Sequence, residues 1–257
     1  GEQLTDRYAV IGNPVAHSKS PGIHAEFARA TGQLLEYGRI EAPAGGFAAA
    51  VARFAAEGGR GLNVTVPFKL DAFNLAHERS ARARGAGACN TLKRDGTHWY
   101  GDNTDGAGLL RDLTVNRGVA IAGKDVLVLG AGGAARGIML PLADAGPRTL
   151  CISNRTDARA LQLARELAPH AHIDVLSAGQ VAQRAFDVVI NATSAGLGSD
   201  LAAPWPTTLF RRDAFAYDLI YADAPTMFLQ FAMAAGVTRT ADGLCMLIEQ
   251  AAESFGL

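Results

Sequence analysis

The chain of 257 residues has little of several things, and each shortage removes a class of protein. Its three cysteines, Cys89, Cys151 and Cys245, are far apart, odd in number and never in a CxxC spacing. That usage excludes a disulfide scaffold and a zinc knuckle, and it leads us to expect reduced thiols in a cytoplasmic protein. Neither sign of charge prevails: 24 Lys+Arg against 25 Asp+Glu leave a formal charge of -1, so no positive field gathers nucleic acid or anionic lipid. The expected partner is a small molecule. The longest uncharged stretch, Ala224 to Thr238, includes a proline, a glutamine and two threonines and is too short for a membrane span. No basic region followed by an apolar one opens the chain at Gly1–Val10, so no signal peptide is read there. The six histidines show no HExxH or other metal spacing, so no metal is expected, and Ser18 beside His17 lacks the context of a nucleophile elbow.

What is present is a globular mix, with 49% hydrophobic and 19% charged residues. At roughly 150 residues per domain the length corresponds to between one and two domains. Short β-branched or Leu-rich runs alternate with Ala-rich helical stretches, which predicts an α/β protein built around largely parallel sheet. Tyr8–Gly12, Leu35–Ile40 and Gly61–Val66 read as strands. Ser20-Pro21 reads as a helix N-cap followed by proline at the first helical position, with the helix ending at Gly32. A second strand series follows at Val126–Leu129, Thr149–Ser153, Asp187–Asn191 and Ala216–Ile220, and Leu244–Phe255 has apolar residues at helical spacing.

Val126–Leu129 runs into Gly130-Ala131-Gly132-Gly133-Ala134-Ala135 and then a helix. In that context Gly130 permits a tight turn, Gly132 lets backbone approach a pyrophosphate, and small Ala135 allows close helix–strand packing, with the anion on the helix N-terminus. An NAD-selective fold ends its next strand with an acid for the ribose 2′-hydroxyl. Here Thr149–Ser153 is followed by Asn154-Arg155-Thr156 and Arg159, two guanidiniums and a hydroxyl suited to a 2′-phosphate. The expected cofactor is NADP(H), on a Rossmann-type doubly wound domain. Asn191-Ala192-Thr193-Ser194 ends the third strand, at the carboxyl edge where such sheets bind ligands.

In the N-terminal part, Asn63 and Thr65 alternate against Leu62, Val64 and Val66, giving one strand a hydrogen-bonding face with Lys69 just beyond it. Such a face suits a polyhydroxylated ligand. Ser18, Ser20, Asn90-Thr91 and Asp102–Gly106 extend the polar set.

Taken together, His17-Ser18-Lys19-Ser20-Pro21, Asn63–Lys69, Gly87-Ala88-Cys89-Asn90-Thr91, Asp102-Asn103-Thr104-Asp105-Gly106, the Gly130–Ala135 loop, Asn154-Arg155-Thr156, Asn191–Ser194 and Gln250 resemble the shikimate dehydrogenases, in the same order over nearly the whole chain. The resemblance implies NADPH-dependent reduction of 3-dehydroshikimate to shikimate on the way to aromatic amino acids. It implies that Ser18 and Ser20 hold the substrate carboxylate, that Asn63, Thr65, Asn90, Asp105 and Gln250 bind ring hydroxyls, that Lys69 and Asp105 form the catalytic pair, and that Tyr221 reaches the substrate. Cofactor contacts would come from Gly130, Ala131, Gly132, Gly133, Ala134, Asn154, Arg155, Thr156, Arg159, Thr193, Ser194, Leu219 and Gly243.

The expected architecture is an N-terminal α/β substrate domain over residues 1–105, with 240–257 packing back on it, and a Rossmann-type NADP domain over 106–239. The cleft between them would hold the site and close over it, and the protein would act as a monomer or homodimer. Two alternatives stay open: a quinate/shikimate dehydrogenase with broader substrate and NAD use, and a non-catalytic ligand-binding member of the same fold.

Overall fold

The computed structural model describes residues 5–193 and 205–254. The chain divides into two compact units, one running to Gly108 and resuming at Leu247, the other spanning Leu109–Met246. Both breaks fall inside helices, a few residues later than the loop-based expectation of 105/106 and 239/240. As a result the start of the last helix, Leu244–Met246, belongs to the second unit.

The first unit contains β1 (Asp6–Gly12), α1 (Ser20–Thr31), β2 (Leu35–Glu41), α2 (Phe47–Ala56), β3 (Gly59–Val64), α3 (Lys69–Leu75), β4 (Glu78–Arg79), α4 (Ala81–Ala86), β5 (Thr91–Asp95) and β6 (His98–Asp102). Its sheet has the order β2-β1-β3-β5-β6-β4, parallel through β2-β1-β3 and antiparallel through β3-β5-β6. Ile11, Leu62 and Val64 bury one sheet face against Phe47, Val51 and Phe54 of α2. The fit is tight: a Cβ on Gly59 would lie 2.2 Å from the Phe54 ring, so only glycine lets that ring lie across the strand.

Two local expectations need correction. Ser20 is the first residue of α1 and not its cap; Lys19 takes the N-cap position but its side chain does not cap the helix, and the Ser18 hydroxyl accepts from the Ser20 N–H at 3.3 Å. Strand β3 stops at Val64, short of Val66. Pro67 has no N–H for a ladder and restricts the residue before it, so the chain turns there and Val66 is left exposed instead of pointing inward with Leu62 and Val64.

Helix α5 (Asp105–Arg111) continues as a π-helical turn, Asp112–Asn116. The second unit then runs β7 (Asp125–Leu129), α6 (Gly133–Asp144), β8 (Thr149–Ser153), α7 (Asp157–Leu167), β9 (Asp174–Val175), α8 (Ala178–Val181), β10 (Phe186–Asn191), β11 (Phe210–Asp218), α9 (Met227–Ala234), β12 (Arg239–Ala241) and α10 (Leu244–Ser254). All its strands are parallel, in the order β12-β11-β10-β7-β8-β9, which is the doubly wound Rossmann order. The fully buried run Asp125–Leu129 follows from helices covering both faces. Val126, Val128, Ile152 and Ile190 feed one core, and Leu127, Leu129, Cys151 and Val189 feed the other. Strand β11 starts earlier and ends earlier than read from sequence, which leaves Leu219 and Ile220 in the loop beyond it.

Candidate active site

In the first unit the two ionisable residues expected to act together are in direct contact. Lys69 Nζ donates to Asp105 Oδ2 at 2.7 Å, with side chains only 13% and 8% exposed. Each stands at the first position of a helix, Lys69 on α3 and Asp105 on α5. The backbone fixes both: the Cys89 N–H bonds to the Lys69 carbonyl at 3.0 Å, and the Asp105 N–H bonds to Asn103 Oδ1 at 3.1 Å. Asp105 keeps a second oxygen for Asn90, whose Nδ2 lies 3.0 Å from Oδ1.

Asn90 is the junction of the polar wall. Its Oδ1 accepts from the Thr104 N–H at 2.9 Å, while its Nδ2 reaches Thr104 Oγ1 at 2.7 Å and Gln250 Oε1 at 3.1 Å. A backbone donor on one end and a carboxylate on the other settle the orientation of the amide. Gln250 comes from α10, so the last helix completes the wall. Ser254, one turn further, is fully buried, with its Oγ 2.9 Å from Thr104 Oγ1, 3.0 Å from Thr91 Oγ1 and 3.5 Å from Asn63 Nδ2. Arg82 binds Asp102 through two nitrogens, each 2.7 Å from a carboxylate oxygen, and reaches Glu253 of α10 at 2.9 Å. Burial would raise the Asp102 carboxyl, but Arg82 and Ser80 outweigh it and hold the group below the usual carboxylate range.

Strand β2 supports the remaining residues. Tyr37 and Arg39, two positions apart and so on one face, reach Asn63 and Ser18 respectively. The Tyr37 hydroxyl donates to Asn63 Oδ1 at 2.5 Å, and Arg39 donates through Nε and Nη2 to the Ser18 carbonyl at 3.2 and 2.7 Å. His24 of α1 stacks on the Tyr37 ring with centroids 4.4 Å apart, and burial pushes its pKa down to about 4, so the ring is neutral. Thr65 is half-buried just past β3, and it packs there because Gly12 has no side chain: a Cβ would meet Thr65 Cγ2 at 2.3 Å. Tyr37, Arg39, His24 and Ser254 were not picked out from the sequence. The one available signal was the period-two placement of Tyr37 and Arg39.

In the second unit the glycine turn joins β7 to α6 at the point where the strand order reverses, between β7 and β10. Gly130 has φ +115°, and a Cβ there would lie 2.8 Å from the Ala192 carbonyl oxygen, so the two loops at this crevice meet through bare backbone. A Cβ on Gly132, the N-cap of α6, would meet nothing within 4 Å. The first turn of a 12-residue helix is therefore uncovered, with Gly133 and Ala134 partly exposed and Ala131 and Ala135 buried beneath. These residues fit a pyrophosphate. Beyond β8, Arg155 and Arg159 are exposed and form no ion pair with the described residues, while Thr156 caps α7 without using its hydroxyl for the cap. Asn154 Nδ2 bonds to the Thr156 carbonyl at 3.0 Å and sets this turn. A 2′-phosphate is the group that such a set would take. Thr193 bonds to Asn191 Oδ1 through its N–H at 3.2 Å and its hydroxyl at 2.6 Å. Gly243 packs so closely under Leu219 that a Cβ would lie 2.0 Å from that carbonyl oxygen. Tyr221 lies in the same loop, half-buried. Ser194 lies outside the described residues. No group of three or more His, Cys, Asp or Glu among the described residues could hold a metal ion, and no helix among them is long and apolar enough to cross a membrane.

Comparison with known proteins identifies the family. A family profile described as shikimate dehydrogenase substrate binding domain matches residues 10–92. A second, described as shikimate / quinate 5-dehydrogenase, matches residues 113–197. The chain is 55% identical over 251 residues to a shikimate dehydrogenase (NADP(+)) of Janthinobacterium sp. (strain Marseille), covering 98% of this chain and 91% of that protein. It is 56% identical over 254 residues to the protein of the same name from Thioalkalivibrio sulfidiphilus, covering 98% and 92%. The shikimate 5-dehydrogenase of Thermus thermophilus, solved in complex with NADP(H) and shikimate, superimposes with a TM-score of 0.85 at 34% identity, covering 98% of this chain and 94% of that one. By identity over nearly its whole length as well as by fold, this chain belongs to the shikimate dehydrogenase family.

Proposed function

We infer that the protein catalyses the reversible NADPH-dependent reduction of 3-dehydroshikimate to shikimate, an oxidoreductase step of aromatic amino acid (chorismate) biosynthesis. The observation that carries the reading is the contact of Lys69 Nζ with Asp105 Oδ2 at 2.7 Å, backed by Asn90 and Gln250 in one hydrogen-bonded wall.

When bound, NADPH supplies the two electrons and the hydrogen that the carbonyl carbon takes up. The carbonyl oxygen becomes an alkoxide as that bond forms, and it needs a positive donor at hydrogen-bond distance. In our reading Lys69 is that donor: its ammonium stabilises the charge and transfers one proton from Nζ to oxygen, and the neutral amine is then reprotonated from solvent. Asp105 holds the amine in place through Oδ2 and accepts from a neighbouring substrate hydroxyl. In the oxidative direction the amine takes the hydroxyl proton back.

Ser18 and Ser20 bind the carboxylate through their hydroxyls, and Asn63, Thr65, Asn90 and Gln250 take the ring oxygens. Tyr221 is read as a further substrate contact. NADP is held by the Gly130–Ala134 turn at its pyrophosphate, by Asn154, Arg155, Thr156 and Arg159 at its 2′-phosphate, and by Thr193, Ser194, Leu219 and Gly243 at its nicotinamide end. We place the protein in the cytoplasm, acting as a monomer or homodimer. The free thiols of Cys89, Cys151 and Cys245 are in keeping with a reducing compartment.

Steady-state rates with shikimate and with quinate, each with NADP and with NAD, test the reading. Shikimate with NADP is expected to give the highest kcat/KM. A purified, folded protein that leaves NADPH unoxidised in the presence of 3-dehydroshikimate would overturn it.

A further inference from the structure

The second-unit residues read as touching ligand come from three separate loops: Thr193 after β10, Leu219 and Tyr221 after β11, and Gly243 after β12. One buried pair ties these loops together. Asn191 and Asp218 are register partners at the ends of β10 and β11, 0% and 1% exposed. Asn191 Nδ2 donates to Asp218 Oδ1 at 3.3 Å, and Asn191 Oδ1 accepts both the N–H and the hydroxyl of Thr193. Asp218 Oδ1 also accepts the Ile220 N–H at 3.0 Å, and its Oδ2 accepts the Thr226 hydroxyl at 2.7 Å. Thr226 in turn caps α9 by accepting the Leu229 N–H at 3.2 Å. The loop from 219 to 226 is therefore held to one carboxylate near its start and at its end. The third loop is fixed against the same segment, through the Gly243 N–H to the Ile220 carbonyl at 3.1 Å and the closeness of Gly243 to Leu219.

We propose that Asp218, with Asn191, is a positioning residue: a buried polar latch that sets Thr193, Leu219, Tyr221 and Gly243 for the nicotinamide end of NADP and for the substrate. The inference rests on the function proposed above. A carboxylate is costly to bury, and burial here lifts its pKa to about 6 against the pull of three hydrogen bonds. The packing of β11 alone does not require that cost. What the acceptor does is gather three donors, one from the end of β10 and two from the 219–226 loop, each belonging to or adjoining a loop of the site. Asn191 and Asp218 belong to none of the contacts themselves, so their effect is transmitted only through where the loops stand.

The test measures NADPH affinity by its fluorescence without substrate, together with kcat/KM and melting temperature. Asp218→Ala removes the acceptor of Asn191, Ile220 and Thr226, and it is expected to weaken NADPH binding about tenfold and to lower kcat/KM by more than that. Thr226→Val, which removes one of the three donors and suits the case where the alanine variant fails to fold, is expected to weaken NADPH binding by about threefold. Asp218→Asn can still accept from Ile220 and Asn191 while donating to Thr226, and should restore much of the affinity. A lowered melting temperature with NADPH affinity and kcat/KM within about twofold of wild type in Asp218→Ala, or in Thr226→Val if only that variant folds, overturns the proposal. Wild-type protein that binds NADPH but leaves 3-dehydroshikimate unreduced overturns the functional reading instead and leaves the latch standing.

Discussion

Lys69 and Asp105 are separated by 36 positions in sequence and by 2.7 Å in space, and the amine and carboxylate are almost closed off from water. Removing one partner of such a buried pair destabilises the fold, but in the proposed mechanism its value is chemical: it would keep a proton donor at a fixed point beside hydrogen-bonding groups suited to ring hydroxyls.

Lys69→Ala is therefore expected to lower kcat by about 10²-fold or more, with shikimate binding little changed. Steady-state kinetics combined with calorimetric titration of shikimate decide it. Wild-type turnover in the folded variant would end the mechanism.

Ser18→Ala should raise the KM for shikimate about tenfold and leave kcat close to wild type, because a group that holds the carboxylate in ground and transition states alike affects binding uniformly. An unchanged KM would remove Ser18 from the site.

Arg155→Ala is expected to raise the KM for NADP about tenfold while barely changing that for NAD, since only the former carries a 2′-phosphate for the guanidinium. Equal effects on both cofactors count against the assignment.

The two glycines of the turn should separate stability from binding. At Gly130, with φ +115° and the Ala192 carbonyl oxygen 2.8 Å from a Cβ, alanine is strained and clashes. We expect Gly130→Ala to cost at least about 1–2 kcal/mol of stability. Gly132→Ala meets nothing within 4 Å and should melt near wild type, yet it should weaken NADPH binding by placing a methyl where the pyrophosphate approaches. Thermal melts paired with NADPH titration check both; a Gly132→Ala protein with unaltered affinity would move the pyrophosphate elsewhere.

His24 makes the fold acid-sensitive. Its folded pKa of about 4 lies below the ordinary 6.5, so between those values the unfolded chain binds a proton that the native chain does not. Its contribution is complete above about pH 6.5 and is lost as pH falls toward 4, on the order of 3 kcal/mol at the acid end. Asp218 acts in the opposite sense, because its raised pKa makes the native chain the better proton binder between 3.8 and about 6. His24→Phe, which keeps a ring against Tyr37, should reduce the fall in melting temperature between neutral pH and about pH 4.5. An equal fall in both proteins would remove His24 as the cause.

Local chemistry wrote much of this protein into its sequence. The apolar run Val126–Leu129 followed by glycines at 130 and 132 can be little other than a buried parallel strand turning into a bare helix end, because period, turn geometry and helix dipole all depend on neighbouring residues. The lack of an acid at the end of β8, with Arg155 and Arg159 shortly beyond it, was equally legible, since charge type at a known topological position needs no tertiary information. Where the local rules competed, tertiary packing decided. Pro67 ended β3 two residues early, and Ser18 took the bond from the Ser20 N–H. The support of Asn63 by Tyr37, of Ser18 by Arg39 and of the second-unit loops by Asp218 joins residues on different strands or helices, or in loops well apart in sequence. No periodicity announces such contacts, because a hydrogen bond between distant segments is specified only by the register and packing that bring them together.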